Sequence, residues 1–253
     1  MPYDCGMRAS DANRTAAAIE RALKAHANPE RQAFFSDGYA PSTLRGYGVP
    51  VPAIRGVVRA FAQTLREHPP RDVIAVAVAL TRRRVVEGRQ VGYELIAKRR
   101  DARALLTPAL VRRLGAGNDN WASVDGFATS ISGPAWGLGL VDDAEVHRWA
   151  KSRDPWWRRT ALASTVALNL ASRGGQGDPR RTLAICAHFS EERLPMLAKA
   201  LSWALRSAVP HDPGAVREFL ARHRPTLPKL VLREVTTKLE TGLKQRKTTS
   251  RRK

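Results

Sequence analysis

Apolar residues recur at three- and four-residue spacing along almost the whole chain, and short breaks bearing Pro, Gly or Asp interrupt them. This pattern limits the fold more than any other feature, because it asks for helix after helix. Residues 14–27 (RTAAAIERALKAHA) place Ala17, Ile19, Leu23 and Ala27 near one face. Residues 51–65 (VPAIRGVVRAFAQTL) carry a proline near their first turn, where its missing N–H costs nothing. Residues 73–80 (VIAVAVAL) alternate as a strand would, but their alanine content and basic end fit a buried helix better. The breaks fall at HPPRD, GPAWGLGLVDD, SRDP, SRGGQGDPR and PHDPG. The glycines of SRGGQGDPR lack the Lys-Ser/Thr of a phosphate loop, so that stretch is expected to be a turn and not a nucleotide site.

About a dozen helices with short connections predict an all-α chain, either a bundle or a helical solenoid. Trp121, Arg159 and Trp203 each fall on the second helix of an apparent pair, 38 and 44 residues apart. That is close to the roughly 40–47-residue period of HEAT-type helix pairs. A stack of such pairs curves, and its inner helices present one set of residues to a concave surface. The stretch GNDNWASVDG is of most interest. Trp121, Val124, Phe127 and Ile131 make a helical apolar stripe, and Asp125 lies beside it, one turn beyond Trp121. A lone Asp in a helix is ordinarily solvated or capping, and a lone Trp ordinarily packs. Trp136, Trp149, Trp156 and Trp157 are expected to pack in this way.

The chain has 253 residues, 43% of them hydrophobic, enough for a substantial core. Residues 1–243 are read as one domain and residues 244–253 (KQRKTTSRRK) as a basic, disordered tail. Lys and Arg number 43 against 23 acidic residues, giving a net charge of +20. The excess exceeds what solubility needs and favours a polyanionic partner. The two cysteines, Cys5 and Cys186, form no CxxC, and the six histidines are scattered singly, so neither a metal nor another cofactor is expected. No run approaches a membrane span and the N-terminus has no hydrophobic signal core, which predicts a cytoplasmic protein.

Four motifs in order carry a family resemblance: HANPE with YGVPVPAIR, then WASVD, WWRRTA and KALSWALR. Over residues 25–235 the chain resembles the HEAT-like-repeat DNA glycosylases of alkylation repair, the AlkD type. The resemblance implies a curved, right-handed HEAT-like solenoid with a concave DNA-binding face. It implies hydrolysis of the N-glycosidic bond of purines made cationic by alkylation at N3 or N7. By the same resemblance the catalytic carboxylate falls on Asp125 and the cleft tryptophans on Trp121 and Trp203. The cleft arginine falls on Arg159, a further DNA-contacting arginine on Arg206, and an early cleft tyrosine on Tyr39. The expected partner is double-stranded DNA bearing alkylated bases, bound by a monomer in the nucleoid. One departure stands out: where the family often has two adjacent tryptophans, Asn120 precedes Trp121, which bears on cleft width. Small methyl lesions and bulky adducts both stay open as substrates, as do general repair and self-protection of a producer. A non-catalytic HEAT-repeat DNA-binding protein is the main alternative, and a protein-interaction scaffold is a third.

Overall fold

Helix starts are written into the sequence as a capping residue followed by proline. Asn28–Pro29, Thr107–Pro108, Asp154–Pro155, Asp178–Pro179 and Asp212–Pro213 each open a helix, and each capping side chain accepts a backbone N–H of the first turn. The cap satisfies one otherwise orphaned donor, and proline sits where no N–H is needed and φ is already helical. The computed structural model describes residues 7–244, and all its regular elements there are helical. The nearest approach to a sheet among the described residues is one isolated bridge between Arg45 and Val85.

The chain groups into two compact units that divide between Val141 and Asp142. The first holds α1 (Ala9–Lys24), α2 (Pro29–Phe34), α3 (Val51–Thr64), α4 (Pro70–Arg82), α5 (Val86–Lys98), α6 (Arg100–Ala104), α7 (Pro108–Gly115), α8 (Trp121–Phe127) and α9 (Gly133–Gly137). Its helices pair as α1 with α3, α4 with α5, and α7 with α8. Successive pairs stack, α1 on α4 on α7 in one row and α3 on α5 on α8 in the other. The second unit holds α10 (Asp143–Ala150), α11 (Pro155–Leu168), α12 (Pro179–Ala187), α13 (Pro195–Ala208), α14 (Pro213–His223) and α15 (Lys229–Thr241). These pair in sequence order, and α11, α13 and α15 form one row while α10, α12 and α14 form the other. Stacked helix pairs of this kind are the signature of a helical-repeat architecture. Trp121, Arg159 and Trp203 stand on α8, α11 and α13, in each case the second helix of its pair.

The stretch VIAVAVAL lies within α4, as its alanine content suggested, with Val73, Val76, Ala77 and Leu80 buried. SRGGQGDPR is a turn that runs into α12 through the Asp178 cap. Two boundaries differ from the pattern-based expectation. On α1 the buried residues are Ala12, Ala16, Ile19, Glu20 and Leu23, so the inward face passes through Ala16 and not Ala17, and Ala27 lies exposed beyond the helix end. The break expected at residue 133 comes later, because α8 continues through a π-helical turn (Ala128–Ser132) into α9, where Pro134 occupies the first turn. Trp136 and Trp149 are core residues, whereas Trp156 and Trp157 are only half-buried at the start of α11. No helix among the described residues is long and apolar enough to cross a membrane. Cys5 and, apart from Lys244, the basic tail lie outside the described residues.

Candidate active site

The loop before α8 is fastened by its three polar residues. Asn118 is buried and accepts hydrogen bonds from Arg89 Nη1 (3.0 Å) and Tyr93 Oη (3.2 Å). Asp119 accepts from Ser42 Oγ, from Thr43 N at 2.7 Å and from Thr43 Oγ1 at 2.5 Å. Burial works to raise the Asp119 pKa, but these hydrogen bonds outweigh it and hold the carboxyl below its ordinary value. Asn120 is the N-cap of α8: its Oδ1 accepts from Ser123 N at 2.9 Å, and its Nδ2 donates to Ser42 Oγ at 3.0 Å. Asn120 thus starts the helix and ties it to the Ser42–Thr43 loop.

Asp119→Ala removes the anchor of that loop. The variant is expected to melt about 3–8 °C lower at neutral pH, the equivalent of one or two charge-assisted hydrogen bonds. A carboxylate with a depressed folded pKa contributes its stability above the unfolded value and loses it as pH falls through the folded one. The gap between wild type and variant should therefore close as pH falls below 3.8. A gap of constant size down to about pH 2, measured by thermal melts, would show that the Asp119 charge does not anchor the loop.

Helical geometry then decides what α8 presents. Val124 and Phe127 point into the core and are fully buried, as is Ile131 in the turn beyond. Trp121 and Asp125, one turn apart, share a neighbouring, half-buried face. Both line a cavity of about 380 Å³. Its opposite wall is α2 and the π-helical turn after it (Phe35–Tyr39). Tyr39 packs edge-on against Trp121 (ring centroids 5.0 Å, interplanar angle 87°), and Trp121 Nε1 donates to the Tyr39 carbonyl at 2.8 Å. Leu44, Val49, Ile54 and Val86 complete an apolar floor, into which Glu87 is also set. Tyr39, Trp121 and Asp125, three of the six residues singled out from sequence, therefore line one cavity.

The other three belong to the second unit. Arg159 is 6% exposed on α11, and its Nη1 donates to the Met196 carbonyl of α13. Its neighbour Arg158 is held elsewhere, paired with Glu192 and lying over the Phe189 ring at 5.4 Å. Trp203 is half-buried on α13. Arg206, nearly one turn further on, donates to Ser202 Oγ at 3.2 Å and lies 3.6 Å from the Glu234 carboxylate. Burial lowers its pKa, against the pull of Glu234. Among the described residues no group of three or more His, Cys, Asp or Glu side chains is placed to hold a metal.

Sequence reasoning missed Asn120 as a cap and Glu87 altogether. The first had a visible signal, an Asn three residues before Ser123 at the start of an apolar stripe. The second had none, since Glu87 is placed by the fold of α5 against the loop of residues 47–49.

No curated protein matches the chain. A family model described as "DNA alkylation repair enzyme" matches residues 19–239, which include every one of the six residues above. The chain belongs to the DNA alkylation repair enzyme family.

Proposed function

We propose that the protein is a monofunctional DNA glycosylase that removes purines made cationic by N3 or N7 alkylation, as the first step of base excision repair in the nucleoid. The observation that supports this most is the convergence of Asp125, Trp121 and Tyr39 on one cavity in a chain of this family. A cationic purine is already a good leaving group. The C1′–N bond breaks with its electron pair moving onto the base, which leaves neutral, and positive charge develops on the deoxyribose. Asp125 stabilises that charge and takes up a proton from the water that adds to C1′. Trp121 offers an aromatic face to the sugar or the cationic base, a contact on the order of 0.5–2 kcal/mol. Trp203 is assigned a second aromatic contact. Arg159 and Arg206 are assigned to DNA phosphates, with Arg206 exchanging Glu234 for phosphate on binding. The net charge of +20 supports a polyanionic partner.

The experiment is release of free base from double-stranded DNA, in EDTA, with the monomeric protein. Methylated DNA should yield 7-methylguanine and 3-methyladenine and leave abasic sites without strand cleavage. Uracil and hypoxanthine should be released little if at all, because a neutral base needs a proton and no acid is assigned here. Comparable rates on uracil-containing DNA would overturn the mechanism. Tight DNA binding with no release of any base would favour a non-catalytic DNA-binding protein instead.

A further inference from the structure

Arg84 is the only non-glycine residue with a positive φ (+55°) among the described residues. It stands in the turn between α4 and α5. A side chain in the left-handed region crowds the following carbonyl, and glycine would make the same turn without that cost. The turn itself is fastened through its backbone. Arg45 N donates to Arg84 O and Val86 N to Arg45 O, both at 2.9 Å, which forms the isolated bridge noted above. Arg45 and Arg84 are thereby held side by side, and both are exposed. The neighbouring Arg83 is paired with Glu20, and Arg45 lies 3.8 Å from the same carboxylate. Arg84 has no carboxylate partner among the described residues. Its Nη2 donates to Thr43 Oγ1 at 2.8 Å. That bond takes up one of the five donors of a guanidinium.

We propose that Arg84, with Arg45 beside it, grips a backbone phosphate of double-stranded DNA, a contact that the first unit makes with its own residues. The open edge of a guanidinium is a planar fork that matches two oxygens of a phosphate. A side chain already anchored on Thr43 loses less freedom on gripping that anion than an untethered one. The place fits as well. Thr43 stands between Ser42 and Leu44, which line the cavity of Trp121 and Asp125. A Cβ on Gly117, in the loop before α8, would lie 4.0 Å from Arg84 Nη1. A phosphate held by Arg84 is therefore at the rim of that cavity. The net charge of +20 draws a polyanion in, and a fixed fork sets where its backbone lies. The assignment rests on the reading of the protein as a DNA-repair enzyme for its partner, and not on which base is removed.

Arg84→Gly removes the fork from a turn that glycine suits. Binding of a short undamaged duplex by the full chain, followed over a series of salt concentrations, tests the proposal without any reaction. The variant should bind about 10-fold more weakly at about 0.1 M salt, and its slope of log K against log salt should be shallower by about one. Its melting temperature should stay equal or rise. Arg84→Lys keeps the charge and loses the fork, so its slope should match wild type while its affinity falls by about 3-fold. An arginine that only fastens Thr43 makes the opposite forecast: the glycine variant melts lower and its slope is that of wild type. An unchanged slope in Arg84→Gly, or a slope lost equally in Arg84→Lys, overturns the proposal. Arg84→Asn, which also tolerates this φ, makes the same comparison if the glycine variant does not fold. Failure of wild type to bind the duplex would overturn the DNA partner and the contact together. Base release from methylated DNA by the same preparation reports separately on the glycosylase reading.

Discussion

Asp125→Asn should release 7-methylguanine at least about 100-fold more slowly than wild type in single turnover, a loss of roughly 3 kcal/mol of transition-state stabilisation. The substitution keeps shape and removes charge. If the carboxylate faces a developing sugar cation, the whole electrostatic contribution disappears, whereas side-chain volume and packing change little. Binding to undamaged DNA should survive, since an anion has been removed from a site that meets a polyanion. The measurement is single-turnover release corrected for the folded fraction from a melting curve. That correction matters because Asp125 sits at the edge of a buried stripe formed by Val124 and Phe127, where a purely structural carboxylate is also at home. A structural Asp125 gives a lower melting temperature and an undiminished rate per folded molecule, and that result would return the residue to the scaffold.

The helices were readable because local rules acted alone, whereas Tyr39, Trp121 and Asp125, which line one cavity, were picked out by the family resemblance. Pairs such as Asp178–Pro179 state a helix start in two letters, and the stripe Val124, Phe127, Ile131 points inward as its spacing demands. What escaped the sequence was set by distant contacts. Arginine looked like surface charge, yet Arg89 is 3% exposed and holds Thr81 O, Ala116 O and Asn118 together. Asn120 looked like a missing tryptophan, and its cap and its bond to Ser42 appear only when residues 42 and 120 meet. Glu87 follows the same logic, because a loop some 40 residues upstream uses one of its oxygens and the cavity takes in the side chain. The assignment of Arg159 over Arg158 came from the motif; both side chains are held, Arg158 by Glu192 and Arg159 by the Met196 carbonyl.

Gly48→Ala tests whether the α2 wall of the cavity matters. Gly48 has φ +67°, and a Cβ there would lie 2.3 Å from Asn28 O and 2.5 Å from Gln32 N, both backbone atoms of the α2 start. The left-handed conformation alone costs an alanine about 1–2 kcal/mol, and contacts that short cannot persist. Something must move, and the weakest side yields. α2 has no buried residue, whereas the residue after Gly48, Val49, is 3% exposed and is pinned through its N–H to Glu87. The variant should therefore keep most of its global stability and shed α2 locally. Amide exchange in residues 29–39 should accelerate about 100-fold, the equivalent of roughly 3 kcal/mol, while the melting temperature falls by only a few degrees. Tyr39 leaves with that segment, so Trp121 loses its edge-on partner and the bond from its Nε1. Base release should then fall by about 10-fold, less than for Asp125→Asn, because the wall positions Trp121 and takes no part in the charge stabilisation. Unchanged exchange in residues 29–39 would show that the loop accommodates the methyl group. Fast exchange with an undiminished rate would remove the α2 wall from the site and leave α8 as its only necessary part in the first unit.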